Sequence, residues 1–104
     1  MNIWNGIGNI TKDPEVNYKA GDEPLAVCRL TVAINEGYGD KQKTYFIPVT
    51  VFGKSAENCE RYLAKGSKVA VTGKIVTGSY EKDGRTYYTT DVIADRVEFL
   101  GGNK

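Results

Sequence analysis

Histidine is absent from the 104 residues, and with it the commonest general base and metal ligand. Cysteine occurs twice, at Cys28 and Cys59. Two thiols so far apart are too few for a zinc site or a disulfide framework. Both fall on rows that pattern as core-facing, so they are read as buried free thiols in a reducing cytosol. Net charge is scarce as well: 14 Lys and Arg against 13 Asp and Glu leave +1. That is far from the basic footprint of a domain that holds nucleic acid by charge alone. No stretch approaches the roughly 18 apolar residues of a membrane span. The segment Met1–Gly6 lacks the positive region and apolar run of a secretory signal. A soluble, cytoplasmic protein without a membrane partner is expected.

Proline is also rare, at three residues, whereas glycine reaches 12 and tyrosine 7. That balance favours strands joined by tight turns over a helical bundle. With 40% hydrophobic and 26% charged residues, the chain has globular composition and is not a disordered tail. Its length suits one domain over residues 1–104, since two halves would each be too short for a core.

Residues Asn2 to Thr11 are extended in character, and Asp13-Pro14-Glu15 signals a turn. A short strand over Val16–Tyr18 follows, then a second turn at Gly21-Asp22-Glu23-Pro24. From Leu25 to Asn35 the pattern alternates strictly, with Cys28, Leu30, Val32 and Ile34 on the core side. Tyr45 to Phe52 alternates again: Tyr45, Ile47, Val49 and Val51 form one row, Phe46, Pro48, Thr50 and Phe52 the other. The segment Ser55–Lys65 reads as the only helix. Ser55 is its expected N-cap, Glu57 and Arg61 an i,i+4 pair, and Gly66 the residue that ends it. Lys68 to Tyr80 returns to period two, with Val69, Val71, Gly73 and Ile75 inward. Asp83-Gly84 is a hairpin turn. A strand over Arg85–Ala94 and a short apolar end at Val97–Leu100 follow, before Gly101-Gly102-Asn103-Lys104. The order is five strands with one helix between the third and fourth, and it has no βαβ alternation. The expected fold is all-β: the OB-fold, a five-stranded Greek-key barrel.

Nothing in the chain assembles into catalytic or metal chemistry. Asp91 and Asp95 flank strand ends with no histidine or Ser–Lys pair beside them. The cysteines have no local base to activate them. The glycines make no phosphate-binding loop, and no metal-ligand cluster is present. The protein is read as a non-enzyme that needs no cofactor and no metal.

The third strand is more informative. If Ile47, Val49 and Val51 are buried, the two-residue period forces Phe46 and Phe52 to the opposite face, about 20 Å apart. Such rings can pack under a loop, against the helix or in a subunit interface. They can also form a platform for unpaired bases, worth about 1–3 kcal/mol per stacked base. Neighbouring residues favour the platform. Lys68, Lys74 and Tyr80 share the outward face of the fourth strand. Tyr80 begins a hairpin carrying Lys82 and Arg85, Tyr38 lies in a loop near Lys41 and Lys43, and Lys54 follows Phe52. Rings interleaved with cations suit a single strand, whose bases stack and whose phosphates need charge. Duplex DNA would require a recognition helix or basic helical face, and none is present.

The segments Gly8-Asn9-Ile10-Thr11-Lys12-Asp13-Pro14-Glu15-Val16, Phe52-Gly53-Lys54-Ser55-Ala56-Glu57, Tyr62-Leu63-Ala64-Lys65-Gly66-Ser67 and Tyr88-Thr89-Thr90-Asp91-Val92 stand in register along nearly the whole chain. In them the sequence resembles the bacterial and phage single-stranded DNA-binding proteins. The resemblance implies base-stacking roles for Tyr38, Phe46, Phe52 and Tyr80, and phosphate contacts for Lys54 and Lys65. The first, second and fourth rings are often Trp in the family. Pro48, Val76, Gly78 and Ser79 stand where its members often carry cations, in keeping with the low net charge. It implies single-stranded DNA as partner, association with the nucleoid, homotetramers, and work in replication, recombination and repair. Tail-mediated replication and repair partners are not expected from this chain, which ends without the family's acidic-tipped tail. The site expected from pattern and resemblance together is Tyr38, Phe46, Phe52, Tyr80, Lys43, Lys54, Lys65, Lys74 and Arg85. Two other readings stay open, a protein-assembly module and an RNA-binding OB domain. Pro48 predicts a bulge or an unpaired donor position. Trp4 is expected to cap the barrel bottom or enter an interface.

Overall fold

Among the described residues the chain forms six strands and one α-helix: β1 (Trp4–Ile10), β2 (Val16–Lys19), β3 (Leu25–Glu36), β4 (Lys43–Phe52), α1 (Lys54–Tyr62), β5 (Lys68–Lys82) and β6 (Arg85–Gly101). The computed structural model describes residues 1–21 and 24–101. The expected turn at Asp22-Glu23 and the chain end at Gly102-Asn103-Lys104 lie outside the described residues.

Five strands close on one another. Hydrogen-bonded neighbours run β1, β5, β6, β4, β3, and β3 returns to β1 at Asn9↔Ala33 and Ile10↔Val32. The far edge of β3 is shared: β2 pairs along Leu25–Cys28, and β1 takes Val32 and Ala33. The ring closes through a short parallel contact of β4 with β6, at Val49↔Val92 and Thr50↔Ile93. This closed ring, with its helix between the third and fourth barrel strands, is the expected OB-fold; β2 is an addition on the outside.

The inward rows form the core. Cys28, Leu30 and Val32 of β3 meet Val49 and Val51 of β4, Val69 and Val71 of β5, Val92 of β6 and Ile10 of β1. Helix α1 plugs one end with Ala56 and Cys59, and Leu63 follows just beyond it. Enclosing one such leucine stabilises the fold by about 1.5–3 kcal/mol.

The helix differs from expectation at both ends. Its N-cap is Gly53 at φ 71°, and no side chain caps it, so Ser55 lies inside the first turn. It stops at Tyr62, because Leu63 turns extended (φ −106°, ψ 151°) and buries its side chain completely. Gly66 therefore sits in the following turn at φ 92°, where its N–H donates to the Ile10 carbonyl. Glu57 and Arg61 form no ion pair; the Arg61 guanidinium lies 5.2 Å from the Tyr62 ring centroid instead. Pro48 stands opposite Thr31 without a register shift. Among the described residues the other edge of β4 pairs only at Val49 and Thr50, so Pro48 has an unpaired side where a missing donor is tolerated. The two segments expected at the chain end are one strand, β6, with register shifts against β5 at Lys68/Val69 and Thr72/Gly73.

Trp4 points into the barrel end and packs against the core beside Ile34 and Ile47. Its indole lies where a Cβ on Gly6 would be, so only glycine at that position leaves room for it. Trp4 thus caps the barrel bottom, one of the two roles expected for it.

Candidate nucleic-acid interface

Register determines which side chains share the outer face. The β3–β4 ladder sets Phe46 opposite Ala33, Pro48 opposite Thr31, Thr50 opposite Arg29 and Phe52 opposite Val27. Directly paired residues stand on the same side of a sheet. The core row fills the other side, so this set faces outward. Phe46 is 63% exposed. Phe52 is half-buried, with the Lys19 ammonium 5.7 Å from its ring centroid. That contact follows from β2, whose pairing puts Asn17 and Lys19 on the side of Val27 and Leu25.

The β5–β6 hairpin continues the face. Tyr80 pairs with Tyr87, Gly78 with Thr89, Val76 with Asp91 and Lys74 with Ile93. Tyr80 is 53% exposed, and its ring stacks on Tyr87 at 5.3 Å between centroids and 21° between planes. At the tip, Lys82 pairs with Arg85 on the same side. Asp83 and Gly84 both have positive φ, 53° and 77°, as the tight two-residue hairpin turn requires.

Between the β4 rings and the hairpin rings runs a groove of about 510 Å³, lined by Lys12, Arg29, Thr31, Thr50, Thr89 and Asp91 together with Pro48. Lys12 is brought there by the β1–β2 loop. That loop is anchored where the Asp13 carboxylate accepts the Lys65 N–H at 2.7 Å and the Glu60 carboxylate accepts the Val16 N–H at 2.8 Å.

Of the expected site residues, Phe46, Phe52, Tyr80, Lys74 and Arg85 share this face. Lys54 borders it at the start of α1, and Tyr38 stands 89% exposed in the β3–β4 loop. Lys43 is on the opposite side of the ladder, in the row of Tyr45 and Ile47. Lys65 lies in the exposed turn after α1, where its backbone is held by Asp13. Sequence reasoning missed Lys12, Lys19, Arg29 and Tyr87. Tyr87 could have been found: the Asp83-Gly84 turn fixes Lys82 against Arg85, and counting outward sets Tyr80 against Tyr87. Lys19 and Arg29 depend on the register of β2 and β3, and Lys12 on the course of the β1–β2 loop, none of which a turn in the sequence fixes.

The two cysteines take no part in this surface. Both are completely buried. Burial pushes the Cys59 thiol up to about 12, with Cys28 adding to the rise. Cys28 is also raised, by burial first and then by the Glu60 charge. A thiol that cannot ionise near neutral pH is no nucleophile. Among the described residues, no group of three or more Cys, Asp or Glu could hold a metal ion, and no helix is long and apolar enough to cross a membrane.

Residues 2–100 match the single-strand binding protein family. The chain is 44% identical over 95 residues to the single-stranded DNA-binding protein of Clostridium perfringens, covering 90% of this chain and 62% of that protein. It is 43% identical over 102 residues to the Clostridium tetani protein of the same name, covering 94% and 70%. It is 41% identical over 98 residues to single-stranded DNA-binding protein 2 of Staphylococcus aureus, covering 90% and 69%. The chain thus spans less than two thirds of the length of the Clostridium perfringens relative.

Proposed function

The chain belongs to the single-strand binding protein family, and from that premise we propose that it binds single-stranded DNA without regard to sequence, in replication, recombination and repair. The observation that carries this reading is the outer face itself. Phe46 and Phe52 stand at one side, Tyr80 stacked on Tyr87 at the other, and Lys12, Lys19, Arg29, Lys74, Lys82 and Arg85 lie among or beside them. Bases stack on the rings, and the cations take the phosphates between them. Tyr38 and Lys54 extend the path from the flanks; Lys43 and Lys65 serve as outlying cations. The protein works as a binding module over residues 1–104, not as an enzyme, in the cytoplasm at the nucleoid.

The reading includes a homotetramer. The β3-facing edge of β1 is paired only at Asn9 and Ile10, leaving Trp4–Gly8 without a strand partner there among the described residues. Ile3 and Ile7 beside it are exposed. An open edge flanked by apolar side chains is readily covered by a second copy of the same edge.

The test is anisotropy of labelled oligo-dT, with the particle mass read by light scattering. Saturable binding by a species of four times the 11.4 kDa chain mass is expected. Phe52→Ala should cost roughly 1–3 kcal/mol of affinity while the domain stays folded. No binding at low salt would overturn the reading and favour an assembly module. Loss of folding with unchanged affinity per folded molecule would remove Phe52 from the platform.

A further inference from the structure

Two of the segments singled out in the sequence, residues 8–16 and residues 62–67, meet in the fold. Hydrogen bonds stitch them together. The Ile10 N–H donates to the Ser67 carbonyl at 3.0 Å, the Gly66 N–H to the Ile10 carbonyl at 2.9 Å, and the Asn9 side-chain amide to the Gly66 carbonyl at 2.9 Å. In the turn after α1 every N–H from Ala64 to Ser67 has an acceptor. That of Ala64 donates to the Ser67 hydroxyl at 3.0 Å, and that of Ser67 to the Ala64 carbonyl at 2.9 Å. The Lys65 N–H alone of the four goes to a side chain from outside the turn, the Asp13 carboxylate at 2.7 Å.

This bond seals no core. Asp13 and Lys65 are both exposed, and water could serve either group in its place, so the net gain to the fold is small. Its effect falls on the neighbouring residue. Lys12 lies between two fixed points: the Thr11 N–H donates to the Thr31 carbonyl at 3.1 Å on one side, and Asp13 is bonded to the turn on the other. Pro14 reinforces the second point. It is buried, and a residue that precedes proline is kept out of the helical region, so the backbone of Asp13 has little freedom. Lys12 enters no ion pair among the described residues, and it lines the groove.

Charge argues the other way. A carboxylate beside the path of a polyanion repels phosphate, and a chain with 14 cations against 13 acids gains nothing from Asp13 as a bare charge. We infer that Asp13 is a positioning residue for DNA binding: by tying the β1–β2 loop to the turn after α1, it holds Lys12 at the groove, ready for a phosphate. The inference rests on the single-strand-binding reading above. A cation fixed before the strand arrives loses less freedom on binding than one carried by a loose loop. That gain exceeds the repulsion from a carboxylate already engaged by an N–H.

The experiment measures oligo-dT affinity per folded molecule for Asp13→Ala, Asp13→Asn, Lys12→Ala and the double variant Asp13→Ala/Lys12→Ala. If Asp13 were only a charge, its removal would tighten binding. As a positioning residue, Asp13→Ala should weaken it roughly fivefold. Asp13→Asn keeps a carbonyl oxygen that can accept the Lys65 N–H, and it should retain at least about half of the affinity. Lys12→Ala should weaken binding and flatten the logarithmic salt plot by about 0.7. In the double variant the two losses should not add, because Asp13 acts through Lys12. Unchanged or tighter binding by Asp13→Ala overturns the inference, even where its melting temperature falls, and leaves the bond as a structural link. So do additive losses in the double variant, an equal loss in Asp13→Asn, or an unchanged salt slope in Lys12→Ala. The Asp13→Asn and Lys12→Ala arms do not depend on the alanine variant folding. Failure of the unaltered chain to bind oligo-dT is a different result, and it overturns the proposed function itself.

Discussion

Cys59 shows what complete enclosure does to one ionisable group. The thiol has no exposed surface, and burial, with help from Cys28, pushes it up to about 12 from an ordinary value of 9.0. The folded state keeps a proton that the unfolded chain gives up once the pH passes 9.0. Stability from this group is therefore full below that pH and is lost progressively as pH rises toward about 12. The urea midpoint of the protein should fall more steeply above pH 9.0 than that of Cys59→Ala, whatever the variant's starting stability. Parallel slopes would show that other groups govern the alkaline limit. Phe52 illustrates the same dependence on surroundings with a different outcome. Its period places it outward, yet it is half-buried, because β2 brings Lys19 across the ring. A base that stacks there must displace the ammonium, which is then released to meet a phosphate.

Among the elements, the β5–β6 hairpin is the one that function can be separated from the core. Val69 and Val71 on the inward row of β5 are enclosed in the barrel, whereas Ile75 on the same row is already exposed, and beyond it the two strands rely on each other. Gly84→Val puts a β-branched residue at φ 77°, at a local cost of about 1–2 kcal/mol. Amide exchange should quicken between Tyr80 and Tyr87 while Val69 and Val71 stay protected, and affinity for oligo-dT should fall with little change in melting temperature. Loss of protection at Val69 and Val71 as well would mean that the hairpin and barrel fold as one unit. This hairpin was legible in the sequence because its turn residues fix the register. The alternating rows of β3 and β4 were equally legible, since burial of Leu30, Val32, Val49 and Val51 leaves one possible inward face. The helix ends were not. Ser55 is a sound N-cap by composition, but Gly53 reaches the positive φ that the approach from β4 demands, and the burial of Leu63 ends the helix before Gly66 can. The groove was illegible for a related reason: Lys12, Arg29 and Asp91 lie far apart in the chain, and only closure of the barrel brings them together.

For the whole molecule, the issue is how a chain of net charge +1 holds a polyanion. Lys12, Lys19, Arg29, Lys54, Lys74, Lys82 and Arg85 lie on or beside the outer face, half of the 14 Lys and Arg. The charge is therefore distributed unevenly, and the near-neutral total describes the chain without describing its binding surface. Binding by such a face has two parts that respond differently to salt. Phosphate neutralisation weakens with a slope of about −0.7 per contact on single strands. With about four contacts, affinity should fall roughly 50-fold between 50 and 200 mM salt. Stacking on Phe46, Phe52, Tyr80 and Tyr87 releases no counterions and should persist. A logarithmic plot of affinity against salt should then be shallow for the intact protein. Arg29→Ala should flatten it by about one contact, and Phe52→Ala should lower it without changing its slope. If Phe52→Ala changes the slope and Arg29→Ala does not, the cations and rings do not act as separate contributions, and the division of the face into phosphate and base contacts is wrong.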